Sequence, residues 1–329
     1  MTPTIHRSGL PLITILAIAL LSAALAAVTL GGCSGSSDKT AATGSPAAGP
    51  ITVSDDAGNS VTLDQPAARI VSLAPANTEI AFALGAGDKV VGDTTYCDYP
   101  EAAKAITKIG DFANPSVEKI VALEPDLILA AGGIQAGLRA KFEKLGISVF
   151  VVDPSNLDQL YADMTALGQL MGVASQSQQV VDDMKAKVAA VEQKVAGLDT
   201  PTVFFEIYGK PLMTAGTGTF LDELIAKAGG INVGAQAGEG FPQFSAEVLI
   251  QQDPAVYIAG SGSMADPGAI AARPGYEQIS AVKDGRVYVI DENLVERPGP
   301  RLAEGLAALA AMIHPEAFPS ASPQASATP

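Results

Sequence analysis

Over residues 175–197 apolar positions recur at alternating steps of three and four, as Val181, Met184, Val188, Val191 and Val195. That spacing puts them on one face of an α-helix, with polar and small residues on the other. Ser175 and Gln178 have the order of a capping box, and Gly197 followed by Pro201 stops the helix at its far end. A helix of this span is roughly 30 Å long, about the width of a small domain.

The chain on either side carries one pattern twice. Glu118 is followed seven residues later by Pro125 and the apolar run Leu127-Ile128-Leu129-Ala130; Glu247 is followed at the same distance by Pro254 and Val256-Tyr257-Ile258-Ala259. Each reads as a short helix feeding a buried strand. Phe112 and Phe241 stand six residues before the two glutamates, and the strand pattern of 146–153 is echoed at 285–291. Three matches in one order predict two similar lobes joined by one stiff helix.

Further elements fill the lobes. Residues 51–63 alternate around Asp56-Ala57-Gly58-Asn59, as a leading hairpin does. Residues 69–73 read as a buried strand running into Pro75 and a helix over 80–84, with Asn77 or Thr78 as its cap. Strands at 90–92, 149–152 and 202–207 alternate with helices at 136–145, 156–171, 220–228 and 302–313. The alternation predicts an α/β fold: two Rossmann-like lobes with mainly parallel sheets, joined by one long rigid helix, with a ligand cleft between the lobes at the carboxyl ends of the strands.

The ends differ in kind. Residues 1–32 hold one charged residue, Arg7, and an apolar run over 10–30 long enough to span a bilayer. Leu30-Gly31-Gly32-Cys33 resembles the lipobox of bacterial lipoproteins, which implies cleavage before Cys33 and acylation of its thiol. Two acyl chains anchor stably where one is marginal. Residues 34–50 are a Ser-, Gly-, Ala- and Pro-rich tether, and 315–329 have the composition of a disordered tail. The expected organisation is a signal peptide over 1–32, lipidated cysteine and tether over 33–50, N-terminal lobe over 51–172, connecting helix over 173–198, C-terminal lobe over 199–314 and tail over 315–329.

The formal net charge is −15, and removal of residues 1–32 takes away only Arg7, leaving −16. So acidic a body argues against nucleic acid or an anionic lipid surface as its main partner. Cys97 has no mate once Cys33 is acylated, and reads as a small packed or cleft-lining residue. His314 is the single histidine outside the signal segment and stands at the end of a helix, as a cap does. There is no nucleophile elbow, no metal-ligand spacing and no paired carboxylates for acid–base work. Gly216-Thr217-Gly218 before a helix lacks the third glycine of a dinucleotide fingerprint, and the chain has no Walker-type lysine. An enzyme reading therefore has little support, and no catalytic or metal-binding residue is assigned.

A binding reading has more. Phe112 and Phe241 would face each other across the cleft, Tyr96 and Tyr208 would add flat surface with a polar tip, and Arg297 with Asn293 and Glu296 would supply hydrogen bonds to an anionic or amide-rich ligand. The plainer alternative for each aromatic ring is core packing. Glu118 and Glu247 occupy equivalent points of the two lobes, suited to a partner with two-fold symmetry that offers each a basic residue, or else simply favour their helix N-termini.

These residues resemble a known family, the substrate-binding lipoproteins of ABC importers for cobalamin, iron siderophores and haem. The resemblance covers about residues 51–313. Residues 69–79, Tyr96-Cys97-Asp98-Tyr99-Pro100, and Glu296-Arg297 followed by Pro300-Arg301 are most similar to its cobalamin-binding branch. It implies that Tyr96, Phe112, Phe241 and Arg297 contact a corrinoid, and that Glu118 and Glu247 dock on arginines of a dimeric permease served by separate ATPase subunits. That branch lines its pocket with tryptophans; this chain has none, and Phe112 and Phe241 stand in two of those places. The expectation is a monomeric capture protein, lipid-anchored through Cys33 on the outer face of the membrane, taking a corrinoid or, as the alternative, a ferric siderophore or haem. It carries no cofactor of its own.

Overall fold

The computed structural model describes residues 49–263 and 266–319, all within one unit spanning Ala48–Pro329. The signal segment, Cys33, nearly all of the tether and the last ten residues of the expected tail lie outside the described residues. No described helix is long and apolar enough to cross a membrane.

A hairpin of β1 (Ile51–Ser54) and β2 (Ser60–Leu63) leads into β3 (Ile70–Ser72), α1 (Pro75–Ala83), β4 (Val90–Gly92), α2 (Val117–Ala122), β5 (Leu127–Ala131), α3 (Arg139–Glu143), β6 (Ser148–Val152) and α4 (Leu157–Leu170). The long helix α5 (Ala174–Val195) follows. Beyond it come β7 (Thr202–Gly209), β8 (Leu212–Thr214), α6 (Phe220–Lys227), β9 (Ile231–Asn232), α7 (Ala246–Gln252), β10 (Val256–Gly260), α8 (Pro267–Ala271), α9 (Ser280–Lys283), β11 (Val287–Ile290) and α10 (Leu302–Ile313). The first sheet has the order β4-β3-β5-β6, all parallel. The second runs β9-β7-β10-β11 in parallel, with β8 added antiparallel to β7. The two sheets thus share one strand order, and the fold is two-lobed α/β.

The repeat holds in backbone detail. Ser116 and Ser245 each accept a hydrogen bond from an amide three residues on, capping α2 and α7 at 3.3 Å. Both connections then turn through a non-glycine residue at positive φ, Glu124 at 47° and Asp253 at 45°, immediately before Pro125 and Pro254. Proline bars its predecessor from the right-handed helical region, so each helix is closed by a left-handed residue and the chain enters β5 or β10 directly.

Side chains alternate across each sheet, which creates three cores. Leu127, Leu129, Phe150 and Val152 from the first sheet, and Val203, Phe205, Val256 and Ile258 from the second, join one continuous cluster with α4, α5, α6 and α10. Ile128, Ala130, Val149 and Val151 face a separate core in the first lobe, and Phe204, Tyr257 and Ala259 another in the second. The five apolar positions of α5 are all buried in the shared cluster, as the spacing predicts. Their contacts run to α4 on one side and to α10 and α6 on the other.

Four local expectations change. Val173, not Ser175, is the N-cap of α5, and no side chain caps it; Gln178 instead donates to Asp182 at 2.8 Å. Asn77 and Thr78 lie inside α1 and are buried, because Pro75 already starts that helix and Ala74 is its N-cap. The helix predicted over 136–145 divides into a tighter turn at Gly133–Leu138 and the short α3. The tail starts later than composition suggests, since Phe318 is buried in the shared core with the Lys194 ammonium 4.2 Å from its ring centre.

One buried acid ties the hairpin turn to α4. Asp163 is 5% exposed, has the acidic Asp56 of the turn beside it and leaves Oδ2 without a partner among the described residues. Burial, then the neighbouring Asp56, Asp55 and Asp153, push its carboxyl up to about 9. The folded chain therefore keeps a proton that the unfolded chain gives up near pH 4, and this site lowers stability as pH rises from about 4 towards 9. Asp163→Asn is expected to melt several degrees above the unsubstituted chain at pH 8, with the gain shrinking towards pH 5; scanning calorimetry at a series of pH values measures it.

Candidate functional site

The parallel strands of both sheets end in loops that carry the candidate residues, as ligand sites in open α/β sheets require. Tyr96 follows β4 in a turn closed by the Cys97 amide donating to the Thr94 carbonyl at 3.1 Å. The adjoining Thr95 amide donates to the Gly110 carbonyl at 2.9 Å. Buried Asp93 beneath it accepts from Lys108 Nζ at 2.8 Å, which fixes the base of the loop. Cys97 is buried, with the hydroxyl groups of Thr78 and Thr94 each 3.2 Å from Sγ, and burial raises its thiol. It packs rather than reacts.

Phe112 is half-buried, and its position depends on a residue that the sequence did not single out. Gln135 is 1% exposed; Nε2 donates to the carbonyls of Phe112 and Leu73 at 2.8 Å each, and Oε1 accepts from the Ala131 amide at 2.8 Å. One amide side chain thus ties the Phe112 loop to the ends of β3 and β5. In the second lobe, the Phe241 loop is held mainly by main-chain bonds: Gly216 donates to Gly240 at 2.7 Å and Thr214 to Pro242 at 3.1 Å, with the Thr217 hydroxyl donating to the Gly238 carbonyl at 3.4 Å. A side chain at Gly216 would lie 2.0 Å from the Gly238 carbonyl oxygen, so that crossing demands glycine. Tyr208 projects near the end of β7, paired with Met213 of β8.

Exposure separates these rings from the core. Among the described residues the aromatic side chains with large exposed surface are Tyr96 at 59%, Phe241 at 52%, Tyr99 at 47% and Tyr208 at 42%. All four belong to the strand-end loops or to the end of β7. Ile134, which periodicity did not single out, is 65% exposed in the turn after β5. Val121, Leu145, Ile231 and Val248, also exposed, lie in or beside helices and at the start of β9, so it is the aromatic rings that distinguish the strand-end loops.

The third group follows β11. Asn293 Nδ2 donates to Asp291 at 2.8 Å, so its amide is engaged locally. Arg297 crosses between lobes: Nη1 donates to Glu79 of α1 at 3.0 Å and to Asp98 at 2.8 Å. Arg301 doubles the link, its Nε and Nη2 each 2.7 Å from a carboxylate oxygen of Glu79, while its guanidinium stacks 4.1 Å from the ring centre of Tyr99. Glu79 is only 3% exposed, and two guanidinium groups satisfy the oxygens of this buried carboxylate. Arg297 makes both of these bonds through Nη1. No sequence signal pairs residues 199 and 218 positions apart, and Asp98 and Glu79 were for that reason missed.

Glu118 and Glu247 are both exposed, in the first turns of α2 and α7. Glu247 accepts from Ser245 Oγ at 2.6 Å, which lowers its carboxyl below the usual range. A cavity of about 350 Å³ adjoins the interlobe link, lined by Tyr99, Glu79 and Arg301 together with Phe82, Val180 and Met184; Tyr96, Phe112, Tyr208, Phe241 and Arg297 are not among its lining. Among the described residues no cluster of three His, Cys, Asp or Glu is arranged to hold a metal ion.

Two parallel lobes on a shared helical layer, with a face of exposed aromatics at their strand ends, define a bilobal binding protein. The chain belongs to the periplasmic binding protein family, whose model matches residues 70–294. It is 35% identical over 304 residues to an uncharacterised ABC transporter substrate-binding lipoprotein, YvrC, of Bacillus subtilis, a match covering 89% of this chain and 96% of that one. It is 34% identical over 204 residues to the vitamin B12-binding protein of Yersinia pestis, covering 61% and 73% of the two chains. Among solved structures, the vitamin B12-binding protein BtuF of Vibrio cholerae superposes with a TM-score of 0.69 at 27% identity, over 77% of this chain and 98% of that one. The haem-binding protein RhuT from Roseiflexus gives 0.68 at 28% identity, over 76% and 98%.

Glu79→Gln removes the charge that Arg297 and Arg301 share while keeping the side-chain shape. It is expected to lower the unfolding free energy by on the order of 3 kcal/mol. Spin labels on α2 and α7 should report a broader distance distribution between the lobes in this variant than in the unsubstituted chain.

Proposed function

We propose that the chain is the extracytoplasmic substrate-binding protein of an ABC importer, and that it captures a corrinoid and delivers it to a dimeric permease with its ATPase subunits. The observation that carries this reading is the gathering of the exposed aromatic rings on the strand-end face beside Arg297. A large, flat, amide-fringed ligand needs apolar plates and a few fixed donors. Tyr96, Phe112, Tyr208 and Phe241 supply the plates; Arg297, Asn293 and Glu296 supply polar contacts. The sequence similarity to vitamin B12-binding proteins supports a corrinoid, while in fold the haem-binding relative matches as well as the vitamin B12-binding one.

Glu118 and Glu247 are the docking residues in this reading. They are exposed, lie in equivalent first turns and follow matched serine caps, which suits a two-fold partner offering arginine to each. Acylation of Cys33 would hold the protein at the outer face of the membrane, as expected of a lipoprotein like its Bacillus subtilis relative. It acts as a monomer and has no catalytic role.

Calorimetric titration of the unit spanning Ala48–Pro329 with cyanocobalamin, haem and ferric hydroxamates tests the cargo. The expected result is saturable one-to-one cyanocobalamin binding, weakened at least tenfold, about 1.4 kcal/mol, by Tyr96→Ala or Arg297→Ala. Binding of haem or a ferric hydroxamate alone would replace the corrinoid. Glu118→Ala with Glu247→Ala should leave cyanocobalamin affinity unchanged while abolishing uptake in cells that express the full chain.

A further inference from the structure

An ion pair is built into the second lobe's own core. Glu206 of β7 is fully buried, two residues beyond Phe204 and on the same face of the sheet. Arg273, from the turn between α8 and α9, grips it with both terminal nitrogens: Nη2 donates to Oε1 at 2.9 Å and Nη1 donates to Oε2. The hydroxyl of Tyr257 in β10 donates to the same Oε2. The Tyr257 ring continues into a row of aromatics, 5.2 Å centre to centre from Phe204, which is in turn 5.2 Å from Phe244. Protein groups alone therefore satisfy both carboxylate oxygens.

Stability does not account for such a pair, because apolar side chains of similar volume commonly serve a core as well or better. Its place in the fold does. Up to Glu206, opposite Thr214, β7 pairs regularly with β8; the register then shifts, so that Tyr208 meets Met213 and Ile207 is the extra residue. An irregularity of this kind re-aims the side chains that follow it. Next comes Gly209, where a side chain would lie 3.0 Å from both Arg273 Nη2 and Glu206 Oε1, so the backbone there rests directly against the ion pair. Tyr208 is thus held between two points that the pair fixes. β8 carries the constraint onward, since Thr214 donates to the Pro242 carbonyl at 3.1 Å and Phe244 donates to the Leu212 carbonyl at 2.9 Å, next to Phe241.

The first lobe has a counterpart. There Gln135, from the segment after β5, ties the ends of β3 and β5 to the Phe112 loop. β7 and β10 are the corresponding strands, and Arg273 likewise comes from the segment after the second of them. We propose that the Glu206–Arg273 pair is the positioning device of the second lobe's binding face, holding Tyr208, and through β8 the Phe241 loop, where the cleft ligand meets them. Glu206 has no exposed surface, so the pair acts through its neighbours. This role rests on Tyr208 being a contact of the corrinoid proposed above.

Glu206→Gln combined with Arg273→Met removes both charges, leaves Tyr257 an acceptor and leaves no unpaired carboxylate in the core. In calorimetric titrations of the unit spanning Ala48–Pro329, this variant is expected to bind cyanocobalamin about tenfold more weakly. In the same background Tyr208→Ala should cost little further affinity, whereas Tyr96→Ala, in the other lobe, should cost as much as in the unsubstituted chain. Arg273→Lys keeps the charge without the two-pronged contact, and is expected to reduce the cost of Tyr208→Ala to a smaller extent. Fluorine-19 NMR of the ligand-free protein labelled with 3-fluorotyrosine gives a second readout. The Tyr208 resonance, assigned by its absence from Tyr208→Phe, should move or split in both variants while that of Tyr96 stays in place. An unmoved Tyr208 resonance, or a Tyr208→Ala cost that is equal in every background, overturns the proposal and leaves the corrinoid reading standing. Absence of cyanocobalamin binding by the unsubstituted chain overturns the corrinoid reading instead, and the fluorine spectra then decide the positioning role by themselves.

Discussion

The architecture depends on one apolar core that belongs to neither lobe. Alternate residues of both sheets turn towards the same layer of helices, and the buried face of α5 closes it from end to end. Moving one lobe against the other would shear close-packed side chains at α4 or α10, and close-packed interiors resist such displacement. The loops at the opposite ends of the strands have no comparable packing. Stiffness therefore lies on the helical side, and freedom to adapt lies where a ligand would arrive.

Two buried glutamates show how much the surroundings decide. Glu79 is enclosed by the guanidinium groups of Arg297 and Arg301, which satisfy its oxygens from the other lobe. Glu296 sits close by in sequence to those arginines, yet receives neither, and burial with a like charge beside it raises its carboxyl. One side chain ties the lobes together through two arginines, and the other keeps a buried oxygen without a partner among the described residues.

Periodicity made the fold legible. The three-and-four spacing of α5 and the duplicated Glu-to-Pro intervals identified the connecting helix and the repeat, because both reflect local constraints written in consecutive residues. Matched left-handed residues at Glu124 and Asp253 show how deep that repeat runs. What stayed hidden was pairing over long sequence separation. Gln135 sets the Phe112 loop, and Glu79 and Asp98 fix Arg297, through contacts that arise only once distant strand ends meet. Phe318 escaped for a different reason: its neighbours have the composition of a tail, and a single ring buried against α5 outweighs them.

The helical link also measures the molecule in whole residues. Each residue of an α-helix advances the chain by 1.5 Å and turns it by about 100°, so adding or removing one within α5 would swing everything beyond it onto a different face. The apolar stripe would break at that point, and the two sets of strand ends would no longer look across the same space. Insertions can accumulate in the loops of either lobe without disturbing their mutual orientation. In the connecting helix the sequence keeps time for both halves, and its length is as much a part of the binding face as any residue that touches cargo.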